Sequence, residues 1–388
     1  PLYPLLGSEG MGLFQMAYPI YALILVLSTT GINVAVSKLV AERVTVGDNH
    51  GARDVFRTSL WLLVVLGLLF SILLFMSSGY IATRVTRDPR AGISIAAIAP
   101  AIFLVSIMSA YRGLFQGLQM MTPTAVSQMV EQVVRVATMI VLAYVLLPGG
   151  VERAAAGASF GAVTGAAAGL TYLLWVVRGR LNGLGSADQG GRPDDPFRTA
   201  ARVIRLAIPV SLASGVLGII QLVDMVVVPA RLQASGLSPT AATSLYGQLT
   251  GGALPLMNLA TVFTAALQVS LVPAITEAGA LGDKLLIITR SRTALRMTFI
   301  LMIPATAGLY LLARPIPQFL YGDPGIEASL SALSSGVLFL SVQQVTSGVL
   351  QGLGHMAVPV RNLLWGAALK LLLTWVLTAI PSMGIRGA

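Results

Sequence analysis

Long apolar runs alternate with short polar breaks along this chain. Ten windows are apolar enough to cross a hydrocarbon core about 30 Å thick, which takes roughly 20 residues of helix. They fall near residues 13–38, 57–82, 92–113, 124–147, 155–177, 203–229, 245–275, 294–313, 328–350 and 358–380. The runs are continuous rather than alternating, which predicts helices and not the strands of a membrane barrel. The residues before the first run, rich in Pro and Gly, read as a loop. The longest polar break, Arg178 to Arg202, is dense in Gly, Pro and charge and reads as a linker between two halves.

The two halves repeat one another. Gly113, Gln116, Gly117 and Leu118 recur 235 residues later as Gly348, Gln351, Gly352 and Leu353. At the same offset Glu42 meets Glu277, Arg57-Thr58 meets Arg292-Thr293, and Arg135 meets Lys370. Pairing the spans this way leaves 155–177 and 203–229 without mates. The pattern therefore predicts a unit of six plus six helices, of which this chain is a fragment clipped at both ends. The expected division is an N-terminal lobe over 1–177, a linker over 178–202 and a C-terminal lobe over 203–388.

Composition fits lipid as the solvent. Of 388 residues 55% are hydrophobic and 10% charged, with a mean hydropathy of +0.82; soluble domains carry about 25% charged residues. The net charge of +10 would suggest nucleic acid in a soluble protein. Here it reads as cations in loops facing the cytoplasm and anionic lipid. Lys38 to Arg57, Arg112, Arg178 to Arg205, Lys284 to Arg296 and Arg361 lie on one side. The other side carries only Arg84, Arg87, Arg90, Arg153, Arg231, Arg314 and Arg386. The first side is then cytoplasmic, and an even number of helices per lobe makes the repeat parallel.

Cysteine is absent, and the two histidines, His50 and His355, sit at predicted helix ends. No thiol chemistry, metal site or cofactor is expected. Phosphate-cradling loops, zinc-ligand spacings and nucleophile elbows are also missing, so an enzyme is not expected.

The candidate chemistry is charge inside the spans. A charge at the bilayer centre costs about 2.5–3.5 kcal/mol on insertion scales and calls for a partner or a wet cavity. Glu131 and Arg135 are four residues apart and share a helix face. They either pair merely to order the bundle or line a polar cavity. Lys370 has no acid one turn away, and only the fold can bring Asp224 to it; an unmatched Lys370 would suit an anionic substrate. Arg112 and Gln116, beside Gly113 and Gly117, read either as an interfacial anchor or as part of the cavity. Gln128, Gln132, Gln221, Gln343 and Gln344 add polar groups that could line a cavity or bond between helices. Gly157, Gly161, Gly165 and Gly169 make a small-residue stripe suited to close helix packing. Pro19, Pro209, Pro255 and Pro304 interrupt spans and predict kinks.

Several segments resemble the stage V sporulation protein B family of polysaccharide exporters. They are L-L-G-S-E-G-M-G-L-F-Q-M-A-Y-P-I-Y at 5–21, G-I-N-V-A-V-S-K-L-V-A-E at 31–42, Y-R-G-L-F-Q-G-L-Q-M-M-T-P-T-A-V-S-Q-M-V-E-Q-V-V-R-V at 111–136, Q-L-V-D-M-V-V-V-P-A-R-L at 221–232 and Y-G-Q-L-T-G-G-A-L-P-L at 246–256. The resemblance covers essentially the whole chain. It implies the multidrug, oligosaccharidyl-lipid and polysaccharide flippase superfamily, which also holds the lipid II flippases. The implied fold is an all-α integral membrane protein with two parallel six-helix lobes in a V. The implied function is flipping of undecaprenyl-pyrophosphate-linked sugars, such as peptidoglycan precursors, across the bacterial cytoplasmic membrane by alternating access. Implied partners are that lipid-linked sugar pyrophosphate, membrane lipid and cell-envelope synthesis enzymes, with no nucleic acid. One departure stands out. Lipid II flippases carry essential arginines just after a proline of the second helix, whereas Pro19 here is followed by Ile20-Tyr21-Ala22-Leu23; Asn33 likewise stands where the family has proline. Cavity charge would then come from Arg135 and Lys370. The alternatives are a cation-coupled drug antiporter, with Asp224 as its coupling acid, and a non-transporting scaffold for envelope assembly.

Overall fold

The computed structural model describes residues 2–180, 195–380 and 382–388. Among these residues the chain is helical throughout, without strands. It supplies ten helical segments long and apolar enough to span a membrane, one for each run read from the sequence.

The first span joins α1 (Leu2–Leu25) to α2 (Gly31–Thr45) through a π-helical turn at Val26–Thr30. Then come α3 (Asn49–Tyr80), α4 (Ala91–Gly117), α5 (Met121–Leu146) and α6 (Val151–Arg180). The second half holds α7 (Pro196–Ala234), α8 (Pro239–Gly247), α9 (Leu254–Ala280) and α10 (Lys284–Leu311), followed by α11 (Pro315–Tyr321), α12 (Glu327–Gly352) and α13 (Ala357–Leu377). A second π-helical turn, Gln248–Ala253, joins α8 to α9 just before Pro255.

Two expectations need correction. The opening residues are not a loop: α1 starts at Leu2, and only Gly7, at φ 66°, breaks it. Pro4 is tolerated because a first-turn residue has no intrahelical acceptor for its missing N–H. Most of the expected linker lies outside the described residues, but its last part is helical. Asp195 caps α7 by accepting the Phe197 N–H at 3.0 Å, so the helix begins before 203.

The repeat is written into the backbone. Left-handed residues recur 235 positions apart: Gly47 with Gly282, Arg87 with Gly322, and Gln119 with Gly354. Asp48 caps α3 through the Gly51 N–H, and Asp283 caps α10 through the Leu286 N–H at the same offset. The paired glycines seen in sequence have one job in both halves. A Cβ at Gly113 or Gly117 would lie 3.0 or 2.8 Å from the Asn33 or Ser37 carbonyl of α2. At Gly348 and Gly352 it would lie 3.1 and 2.8 Å from the Gln268 and Val272 carbonyls of α9. Small residues allow this backbone-to-backbone approach in a medium where helix association depends on packing.

The halves meet in a seam on the cation-poor side. Ser8 and Ser244 share a hydrogen bond of 2.7 Å, and Gln15 donates to the Thr250 carbonyl at 3.2 Å. Gly12 and Gly247, again 235 apart, sit against the backbone of the opposite half: a Cβ at either would fall about 2 Å from a carbonyl oxygen. Two repeat-related Asp-Pro turns fasten the seam. Asp88 accepts from the Thr243 hydroxyl at 2.7 Å, and Asp323 accepts from the Tyr3 hydroxyl at 2.8 Å. On the opposite side α7 lies along α2, where Gly31 N–H donates to Ser211 at 3.2 Å and Arg202 reaches Glu42 at 3.2 Å.

Asp88 is buried, and burial would raise its pKa. Hydrogen bonds from Arg90 and Thr243 outweigh that and hold the carboxyl below the ordinary carboxylate range. A depressed folded value stabilises the seam at every pH above the unfolded value of about 3.9, and the gain is lost as pH falls through the folded value. The seam is therefore expected to be unchanged between about pH 8 and about pH 5. Reactivity of Ser244→Cys toward a thiol reagent across that range checks this; a rise in labelling toward pH 5 would contradict it.

Candidate functional site

The glycine stripe of α6 builds the site. A Cβ at Gly165 would lie 2.6 Å from the Glu131 carbonyl oxygen, and Gly161 and Gly169 touch the backbone of Arg135 and Ser127. The stripe thus presses α6 onto α5 where its charged residues sit, leaving their side chains to turn toward α4 and α1. Glu131 lies ten residues into α5, about 15 Å along its axis.

There Glu131 holds two arginines. Arg135 Nη2 donates to one carboxylate oxygen at 2.5 Å, and Arg112 Nη2 of α4 donates to the other at 2.9 Å. Arg112 Nε donates to Ser127 Oγ at 3.0 Å, and Ser127 in turn donates to the Thr124 carbonyl. Side-chain exposures are 12% for Arg112, 9% for Glu131 and 17% for Arg135. Two guanidiniums around one carboxylate leave the cluster with a surplus positive charge. Tyr21 of α1 brings its buried hydroxyl beside Arg135 and Glu131. Neither that hydroxyl nor Arg135 Nε meets a partner at full hydrogen-bond geometry, although the hydroxyl and the Arg135 side chain lie within donor–acceptor reach of one another. These two buried polar atoms beside a surplus cation suit an acceptor-rich anion.

A second pair lies between α7 and α13. Lys370 Nζ meets Asp224 Oδ2 at 2.5 Å. Nearby Arg231 lies 4.5 Å over the Trp375 ring and donates to its carbonyl at 2.9 Å. Lys370 is therefore not the unmatched cation read from the sequence. The duplicated cations found different acids: Arg135 one on its own helix, Lys370 one 146 residues away.

Of the other candidates, Arg112 belongs to the cluster. Gln116 is half-buried and Gln128 is exposed, and neither joins either charged group. Gln344 bonds between helices, accepting from Thr264 of α9 at 2.7 Å, and Gln343 donates to Ser347 on its own helix. Ser127 and Tyr21 were missed. Ser127 stands one turn before Glu131, a spacing that could have flagged it; nothing in the sequence pointed to Tyr21. Among the described residues no group of three or more His, Asp or Glu could hold a metal ion.

The model of the polysaccharide biosynthesis protein family matches residues 1–278. The chain belongs to this family. Stage V sporulation protein B of Bacillus subtilis (strain 168) is 33% identical over 390 residues, covering 99% of this chain and 74% of that protein. The lipid II flippase MurJ of the same organism is 28% identical over 398 residues, covering 96% and 72%. Among solved structures, an inward-facing conformation of a multidrug resistance MATE family transporter of the MOP superfamily matches with a TM-score of 0.77, at 17% identity, over 100% of this chain and 87% of that one. An outward-facing conformation matches with a TM-score of 0.56, at 15% identity, over 100% and 89%. The fold is that of the MOP transporters, and the resemblance read from 111–136 and its neighbours holds at the family level.

Proposed function

We propose that this multi-pass membrane protein is a flippase. Its cargo is a polyprenyl-pyrophosphate-linked sugar precursor, moved across the bacterial cytoplasmic membrane by alternating access between two lobes, without covalent chemistry. The observation that carries the reading is the buried Arg112–Glu131–Arg135 cluster, with its surplus positive charge and an Arg135 Nε that lacks a full hydrogen bond. Such a site favours a phosphate group, which accepts charge-assisted hydrogen bonds from guanidinium. Descent from the same family as stage V sporulation protein B, and similarity to the lipid II flippase MurJ, supports a lipid-linked sugar as cargo. The seam closes the cation-poor side, and the closer match is to an inward-facing transporter. Both favour a state open to the cytoplasm. The antiporter reading loses support, because Asp224 is neutralised by Lys370 and Glu131 by two arginines.

The test is transbilayer movement of lipid II in proteoliposomes. Arg135→Ala leaves Glu131 paired with Arg112, so the fold is retained while the surplus charge is lost. Losing charge-assisted hydrogen bonds worth about 1.5–3 kcal/mol should slow transport roughly ten- to hundredfold. Wild-type rates from Arg135→Ala, or efflux of a cationic dye in place of lipid movement, would overturn the reading. Lys370→Ala is a poorer probe, because it strands Asp224.

A further inference from the structure

The repeat holds at an offset of 235 on both sides of its first intramembrane proline, but not at the proline itself. Gly12 and Gly247 keep that offset in the seam, and so do Asn33 and Gln268, whose carbonyls meet the paired glycines. Pro19 and Pro255 are 236 apart. The second half therefore carries one extra residue before its proline, and the first half one extra after its own. The backbone shows both. The π-helical turns are Gln248–Ala253, just before Pro255, and Val26–Thr30, after Pro19. A single inserted residue widens one helical turn into a π-turn. Hydroxyls bond back to the backbone at each: Thr250 to the Tyr246 carbonyl, Ser28 to that of Ile24 and Thr29 to that of Leu25, all at 2.7 Å. Such interruptions of the ladder are where long helices bend.

The two turns divide their helices at different depths. In the second half the turn lies in the seam, and only the short α8 stands beyond it. In the first half all of α1 stands beyond it. Only Gly7 departs from helical geometry in α1, so Ser8 to Leu25 is one unbroken helix. One end of this helix carries the seam contacts Ser8, Gly12 and Gln15. Tyr21 stands about 20 Å along the same helix from Ser8, with its buried hydroxyl within reach of the Arg135 side chain. On the other side of the turn α2 is held in place. Gly31 N–H donates to Ser211 of α7, and the α4 glycines press on the Asn33 and Ser37 carbonyls. This makes α1 a lever that joins the outer seam to the charged cluster, with its pivot at Val26–Thr30.

We propose that Tyr21 is a positioning residue that couples occupancy of the Arg112–Glu131–Arg135 cluster to the outer seam. Its hydroxyl rests against Arg135 and keeps α1 in the seam-closed position. A phosphate group is the stronger acceptor, because its hydrogen bonds from guanidinium are charge-assisted. It takes Arg135 from the phenol, α1 is released, and the seam loosens. This rests on the flippase reading and adds to it a direct link between cargo and gate.

The experiment reads the seam while the cluster is loaded. Ser244→Cys, in a chain without cysteine, is placed in nanodiscs with and without undecaprenyl pyrophosphate, and its labelling by a thiol reagent is timed. Binding of the lipid is measured in the same samples, and each variant is compared at its own saturating concentration. Lipid should speed labelling of this parent about fivefold or more, the lower end of coupling between two sites. Adding Tyr21→Phe should raise the basal rate and abolish the response to lipid. Adding Gln15→Leu instead loosens the seam but keeps the Tyr21 contact, so labelling should start fast and still respond. Loss of response in both variants makes Tyr21 a seam fastener alone and overturns the coupling. A Tyr21→Phe protein that no longer binds the lipid makes the hydroxyl a direct cargo contact and overturns the displacement. A Tyr21→Phe protein that responds like the parent, or a parent that binds lipid without faster labelling, overturns the lever and leaves the flippase reading standing. A pivot at Pro19 would give that second result, because Tyr21 would then stay behind with the lobe. A parent that neither binds nor moves the lipid overturns both.

Discussion

Replacing Glu131 with leucine is expected to lower the stability of the protein by about 3–5 kcal/mol. Arg112 and Arg135 are 12% and 17% exposed, and their shared contact is this one carboxylate. Leucine would leave two guanidiniums facing each other inside the bundle with no counter-ion. Removing one partner of a buried pair costs about 3–5 kcal/mol, because the charge left behind stays desolvated. Net stabilities are about 5–15 kcal/mol, so the loss is a large share of the total. Thermal unfolding and size-exclusion behaviour of the detergent-solubilised protein would show it. Adding Arg112→Met and Arg135→Leu removes the stranded charges, so the triple variant should recover stability but not transport. Glu131→Leu with wild-type stability would mean that the arginines find other partners, and the cluster would not be the closed unit described here.

The contrast between Glu131–Arg135 and Asp224–Lys370 marks what sequence could tell. Glu131 and Arg135 are legible because an i, i+4 spacing fixes their neighbourhood within one helix. Arg112 joins them only because α4 returns beside α5. Asp224 meets Lys370 only because α7 and α13 touch near these residues. Such pairings are set by helix placement, which hydropathy does not encode, and so Lys370 looked unmatched. The ten spans and the repeat were legible for the opposite reason. Lipid demands length and apolarity from each segment alone, and duplicated glycines keep their spacing because each pair meets the same backbone neighbours. The π-helical turns at Val26–Thr30 and Gln248–Ala253 leave no mark on hydropathy, since inserting a residue in a helical turn changes register rather than composition. The opening residues misled because Pro4, Gly7 and Gly10 resemble a loop, although Gly7 alone departs from helical geometry.

Cysteines at Ser8 and Ser244 are expected to close into a disulfide and stop transport completely, with reductant restoring it. The natural chain has no cysteine, so the introduced pair has no competitor. The two hydroxyl oxygens are 2.7 Å apart, and a disulfide places its sulfurs about 2.05 Å apart with Cβ atoms about 3.8 Å apart, a span within reach of this contact. The bond would join α1 to α8 where Gly12 and Gly247 already bring the two backbones together. Flanking it, the Asp88–Thr243 and Tyr3–Asp323 bonds cross the seam in opposite senses. Each carboxylate stands in one half and each hydroxyl in the other, as the repeat requires. The proposed alternating access demands that this seam part, and both bonds are ordinary hydrogen bonds, each worth about 0.5–3 kcal/mol and so able to break on the timescale of transport. A covalent link is not. Cross-linking without loss of transport would show that the lobes move while α1 and α8 stay together, and the opening would have to lie elsewhere. Loss of transport that reductant reverses would make the Ser8–Ser244 contact part of the outer gate, and would give the repeat-related aspartates a mechanical role as its paired fasteners.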